Sequence, residues 1–165
     1  MARELTVYQL GVVPYDEALA AQRGLVEEYG RTQADAGALM LLEHPPILTI
    51  GRSGTAANIL ASAERLAAAG VAVRETNRGG DVTYHGPGQI VGYPILPLGH
   101  HGKDVHAYLR RLEGVLIAAL GDYGIAAERR EGLTGVWTPE GKIVSIGVAV
   151  SRWVTWHGFA LNVDP

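Results

Sequence analysis

Two hydrophobic periods alternate along this chain. Residues 4–10, ELTVYQL, alternate with period two and predict a strand. Pro14 then opens a helical pattern running to about residue 32, in which Ala18, Leu19, Leu25, Val26 and Tyr29 recur at mostly helical spacing. The apolar runs GALMLLEH and ILTIG are separated by Pro45-Pro46, which forbids one continuous strand. Ser62 is placed to cap a short Ala-rich helix ending at Gly70, and VAVRE follows as another strand. The clearest helix begins after Asp104. Val105, Tyr108, Leu109, Leu112, Val115, Leu116, Ala119, Leu120 and Tyr123 keep a 3.6-residue spacing until Gly124 stops it. Three strands are expected after that, at 126–129, 142–150 and 153–163. Hairpin-like strand pairs mixed with two long helices predict an α+β fold, a sheet covered by helices rather than a doubly wound parallel sheet.

Composition narrows the class without changing this picture. The chain has 165 residues, 47% apolar and 19% charged, enough for one domain with a full core. Its net charge of −3 argues against a general nucleic-acid binder. It contains no cysteine, so a disulfide framework and a Cys-based metal site are both excluded within it. The six histidines show no metal-ligand spacing, and His100-His101, in a GHHGKD loop, reads as solvated. The opening residues lack the apolar core of a signal peptide, and no apolar run is long enough for a bilayer. A cytoplasmic protein that binds neither membrane nor nucleic acid is the expectation.

Candidate chemistry concentrates at 78–89, RGGDVTYHGPGQ. Gly86-Pro87-Gly88 suits a type II turn, with Pro87 presetting φ and Gly88 taking a positive φ. Turn formation does not account for Gly79-Gly80. Glycines beside a strand mark a bulge or a close backbone approach. With Arg78, Thr83, Tyr84 and His85 around them, they suggest a wall against which a ligand lies. Taken singly, Arg78 also reads as a surface charge and His85 as a structural histidine.

A second informative stretch is VWTPEGKIVSIGVAV, with a turn at Pro139-Glu140-Gly141. Alternation puts Lys142 in phase with Val144, Ile146, Val148 and Val150, a core-facing row. The opposite row, Ile143, Ser145, Gly147, Ala149 and Ser151, is small enough to admit a ligand or another backbone. Two readings of Lys142 stand side by side: a partly desolvated amine with a lowered pKa, or a strand-end lysine that snorkels to water. Gly135 and Gly141-Lys142 do not make a phosphate loop, because the spacing is one residue too long and Ile143 stands where Ser or Thr is required.

Four stretches in order, EHPPILTIGR at 43–52, NRGGDVTYHGPGQIVGYPI at 77–95, GVWTPEGKIVSIGV at 135–148 and HGFALNV at 157–163, resemble the lipoyl(octanoyl) transferases. The resemblance implies a mixed, largely antiparallel sheet covered by helices, like the catalytic domain of biotin and lipoate ligases. It also implies a two-step acyl transfer without a cofactor. Octanoyl-acyl carrier protein would acylate a cysteine, and the thioester would pass to a lysine of lipoyl domains, those of 2-oxoacid dehydrogenases and the glycine cleavage H protein. By position, Arg78, Gly79, Gly80, Asp81, Val82, Thr83, Tyr84 and His85, with Ser145, Ile146, Gly147, Gly158, Phe159 and Ala160, would line the substrate site. Lys142 would lower the pKa of the nucleophile. The family's Pro-Cys-Gly nucleophile follows the HGFALNV segment, so residues 1–165 are expected to be a single catalytic domain lacking its C-terminal segment. Two alternatives stay open: an ATP-dependent lipoate or biotin-type ligase, disfavoured by Gly86-Pro87-Gly88-Gln89 after His85, and a non-catalytic binder of acyl chains or carrier domains. Arg110-Arg111 and Arg129-Arg130 read either as docking charges for an acidic carrier or as a solvated face.

Overall fold

The structure is a computed structural model that describes residues 4–32 and 36–165, apart from the side chains of His100 and His101. Two sheets share one body. The larger has six strands in the order β1 (Glu4–Val12), β2 (Ala36–Glu43), β6 (Gln89–Ile95), β9 (Val154–Asn162), β8 (Gly141–Ser151) and β7 (Val136–Thr138). Only β1 and β2 pair in parallel; the other four ladders are antiparallel. The smaller sheet has β3 (Ile47–Ile50) between β4 (Ala72–Glu75), parallel, and β5 (Val82–His85), antiparallel. The expected α+β class and mixed sheet are both present.

Helices cover the large sheet on both faces. Helix α1 (Tyr15–Thr32) packs Ala18, Val26 and Tyr29 against Ala38, Met40 and Leu42 of β2 and Val91, Tyr93 and Ile95 of β6. Helix α3 (Val105–Asp122) lays Tyr108, Leu112, Leu116 and Leu120 on the other face, against Val136 and Val144. Asp104 caps α3 by accepting the Ala107 amide at 2.9 Å, and Ser62 caps the short helix α2 (Ala63–Ala68). Alternation along β8 divides its side chains as predicted except at Ile143, which packs with the α3 cluster although it belongs to the opposite row. Val144, Ile146, Val148 and Val150 join the α3 cluster, and Ala149 joins the α1 cluster.

Two expectations need correction. Residues 126–129 form no strand, only one bridge between Glu128 and Trp137. The apolar stripe of α3 is wider than its buried face, since Val115 and Tyr123 are exposed. The runs on either side of the GPG turn do not pair with each other: β5 joins the small sheet and β6 the large one. The turn itself forms, with Gln89 N–H donating to Gly86 O at 3.2 Å and φ of +82° at Gly88. No helix among the described residues is long and apolar enough to cross a membrane.

Candidate functional site

The seam between the two sheets holds a small cavity of about 20 Å³. Its floor is the middle of the β8–β9 ladder, Ser145 to Gly147 opposite Gly158 to Ala160. Arg78, Thr83, His85, Tyr15, Tyr93 and His157 complete the lining, with the Tyr15 and His85 rings stacked 6.4 Å apart, centroid to centroid. Aromatic rings, small side chains and glycine backbone share the wall with Arg78, Thr83, Ser145 and two histidines. That is the usual constitution of a small-molecule site.

Arg78 is 6% exposed, and every acceptor it reaches is a neutral oxygen. Its Nε donates to Thr49 Oγ1 at 3.2 Å, Nη1 to Gly79 O at 2.9 Å, and Nη2 to Thr49 O at 2.7 Å and Asp81 O at 2.8 Å. Among the described residues no carboxylate forms an ion pair with it. Burial lowers its pKa, yet a guanidinium stays charged. A buried cation held by dipoles alone attracts negative charge that enters the cavity.

His85 is also buried, and loss of hydration pulls its pKa down to about 4. Its Nδ1 lies 2.8 Å from Gln89 Oε1, and its Nε2 lies 3.4 Å from Thr49 Oγ1. Further rings continue from it. His44 sits 5.7 Å from His85 and 5.9 Å from Tyr93, centroid to centroid, and Tyr93 is 6.5 Å from His157. His44 Nδ1 meets Val13 O at 2.6 Å, and since a carbonyl only accepts, that nitrogen carries the proton. Tyr93 Oη therefore donates to His44 Nε2, at 2.7 Å. His157 is held differently. Its φ of +56° turns the ring away from the regular strand direction into the seam, where Nε2 meets Asn77 Oδ1 at 2.9 Å. Burial, with Arg78 nearby, brings its pKa to about 4.

The structure brings nine of the resemblance-derived site residues to the cavity wall, namely Arg78, Thr83, His85, Ser145, Ile146, Gly147, Gly158, Phe159 and Ala160. Gly79, Gly80, Asp81, Val82, Tyr84 and Lys142 lie outside it. The structure gives Gly79-Gly80 backbone roles. Gly80 adopts φ of +87°, and the Gly79 N–H donates to Val148 O at 2.8 Å, pinning this segment across β8. Gly147 is small because that crossing leaves no room: a Cβ there would stand 2.6 Å from Gly79 O. Asp81 binds Asn58 Nδ2 at 2.7 Å, Val82 pairs with Ile50 in the small sheet, and Tyr84 is largely exposed. The Lys142 ammonium stands 5.1 Å from the centre of the Trp137 ring, on the strand row that faces α3, and partial burial lowers its pKa. Arg110 and Arg129 both bind the fully buried Glu113, at 2.8 and 3.1 Å, so two of the four proposed docking cations serve the fold.

Sequence reasoning missed Tyr15, Tyr93, His157, Thr49 and Gln89 as parts of the site. His157 beside Gly158 was the one local signal, a bulky polar residue next to a glycine within a strand. The others look like ordinary helix-start, strand and turn residues until the two sheets meet.

The sequence profile of the lipoyl protein ligase A/B catalytic domain family matches residues 14–165. The octanoyltransferase of Solibacter usitatus is 55% identical over 162 residues, covering 98% of this chain and 73% of that protein. The octanoyltransferase of Syntrophotalea carbinolica is 52% identical over 159 residues, covering 96% and 72%. In structure, the chain superposes on a bipartite lipoate protein ligase from Thermoplasma acidophilum with a TM-score of 0.76 at 18% identity, covering 99% of this chain and 63% of that one. It superposes on a lipoate-protein ligase A bound with ATP with a TM-score of 0.77 at 16% identity, covering 98% and 68%. The ligases share the fold, and the sequence identity lies with the transferases. A lipoate-ligase fold around this seam cavity, with half of all aligned residues shared, places the chain in the octanoyltransferase family of acyltransferases.

Proposed function

We propose that this chain carries the acyl-binding site for moving an octanoyl group from octanoyl-acyl carrier protein to a lysine amine of lipoyl domains, those of 2-oxoacid dehydrogenases and the glycine cleavage H protein. The observation that carries the reading is Arg78, a buried cation with no carboxylate ion pair among the described residues, in the wall of a cavity it shares with Ile146, Gly147, Gly158, Phe159 and Ala160. Burying the eight-carbon tail contributes roughly 5 kcal/mol at about 0.8 per methylene. Arg78 would then orient the acyl carbonyl oxygen and stabilise the negative charge it gains when attacked.

The transfer has two balanced halves. A cysteine thiolate adds to the thioester carbonyl and expels the carrier thiolate. The lysine amine then adds to the acyl-enzyme, the cysteine thiolate leaves, and the amine nitrogen gives up a proton as the amide forms. These 165 residues contain no cysteine, and the reading takes the thiol from sequence C-terminal to Pro165. Lys142 supports the thiolate in this reading as a nearby, partly desolvated cation.

The test is intact-mass spectrometry after incubation with octanoyl carrier protein and no ATP. A polypeptide extended with the family's cysteine segment is expected to gain a hydroxylamine-labile octanoyl adduct and to modify a lipoyl domain. Residues 1–165 alone, or the extension with serine in place of cysteine, are expected to form no such adduct. An adduct on residues 1–165 would rule out the cysteine mechanism, and turnover only with ATP would identify a ligase.

A further inference from the structure

We propose that Gln89 is a positioning residue for His85: it fixes which ring nitrogen carries the proton and so keeps an unprotonated Nε2 at the cavity. Gln89 is 4% exposed, and its Nε2 lies 3.1 Å from Tyr84 O and 2.9 Å from Asn162 Oδ1. A backbone carbonyl only accepts, so the amide nitrogen must face Tyr84 and the amide oxygen must face His85. That oxygen likewise cannot donate. The bond of 2.8 Å to His85 Nδ1 therefore requires the proton on Nδ1. A neutral imidazole with Nδ1–H has its lone pair on Nε2.

What surrounds Nε2 leaves that lone pair weakly used. Its one hydrogen-bond partner among the described residues is the Thr49 hydroxyl at 3.4 Å, which also donates to Thr83 O at 3.4 Å and accepts from Arg78. His85 itself lines the cavity. If the cavity is the octanoyl-transfer site, on which this consequence rests, Nε2 accepts a hydrogen bond from the N–H of the incoming lysine amine. The amine lone pair is thereby left free for the acyl carbon. The opposite tautomer would present a second donor beside Arg78 and repel that amine's protons.

The experiment needs no substrate, so its result is separate from that of the transfer reading. Nitrogen-15 imidazole spectra of the 165-residue chain at pH 7 report the tautomer directly. In the wild type, His85 is expected to show a protonated Nδ1 and an unprotonated Nε2. Gln89→Leu removes the acceptor and is expected to move the proton to Nε2. Gln89→Glu keeps an acceptor at Nδ1 and adds a charge, so the tautomer is expected to persist while the His85 pKa rises by about one unit or more. Arg78 and His44 also act on this titration, His157 is coupled to His85, Tyr15 stacks on the His85 ring and Tyr93 shares the cavity, and all are unchanged in the variants. A proton on Nε2 in the wild type, or an unchanged tautomer in Gln89→Leu, overturns the proposal. Should Gln89→Leu fail to fold, Gln89→Glu decides: an unmoved His85 pKa overturns it equally.

Discussion

Two buried rings set how this protein responds to acid. His85 and His157 have folded pKa values of about 4, against about 6.5 unfolded. Between those values the unfolded chain binds more protons, so stability rises with pH across that window. Their contribution is fully present above about pH 6.5 and is lost as pH falls toward 4. The urea midpoint is expected to drop clearly between pH 7 and pH 5; a flat profile would show that the rings are hydrated. Glycines divide just as sharply at this scale. Gly79 has only Val148 O near its Cβ direction, at an ordinary 3.5 Å, whereas Gly147 faces Gly79 O at 2.6 Å. Gly79→Ala is expected to change stability by less than about 0.5 kcal/mol and Gly147→Ala to cost about 1–3 kcal/mol, read by chemical denaturation. The sequence pointed to the glycine pair but not to its backbone role. A positive φ at Gly80 and a backbone crossing at Gly147 look the same as ligand clearance when only residue types are visible.

At the scale of elements, helix α3 is joined to the following loop by one carboxylate. Glu113 is fully buried and accepts from Arg110, Arg129 and the Gly135 N–H, the last at 3.0 Å. Removing it strands a buried amide and two half-exposed guanidinium groups. Glu113→Ala is expected to cost about 2–3 kcal/mol, below the range for a fully buried pair because the arginines keep partial hydration. Arg110→Ala should cost under about 1 kcal/mol, since Arg129 still serves the carboxylate. Equal losses in denaturation would contradict this division. Elements with their own caps and periods, such as α3 with Asp104 or β8 with its alternating valines, were legible from the chain. The 126–129 segment was not. It has strand-like composition, but it is held by Glu113 and a single bridge to Trp137 rather than by a ladder.

Across the whole molecule, the sheet partition is what sequence could not supply. A GPG turn between two strand-like runs reads as a hairpin, and nothing local says that β5 pairs with β3 while β6 pairs with β2 and β9. The cavity exists because of that divergence. Saturation with an octanoyl thioester probe is therefore expected to slow amide exchange on both sides of the seam, at Gly79 and at 145–147 and 158–160. At a hundredfold excess over Kd the stabilisation is about 2.7 kcal/mol. Protection confined to the exposed edge strand β1 would place the ligand elsewhere. The seam also bears on how this protein can vary over generations. Side chains added at Gly51, Gly147 and Gly158 would meet the carbonyl oxygens of Gly80, Gly79 and Gly92. Every amino acid carries that oxygen, so no replacement of the facing residue can make room. Two residues in side-chain contact can drift together, one shrinking as the other grows. These pairs have no such path, and their proximity leaves no trace of correlated change for an alignment to find.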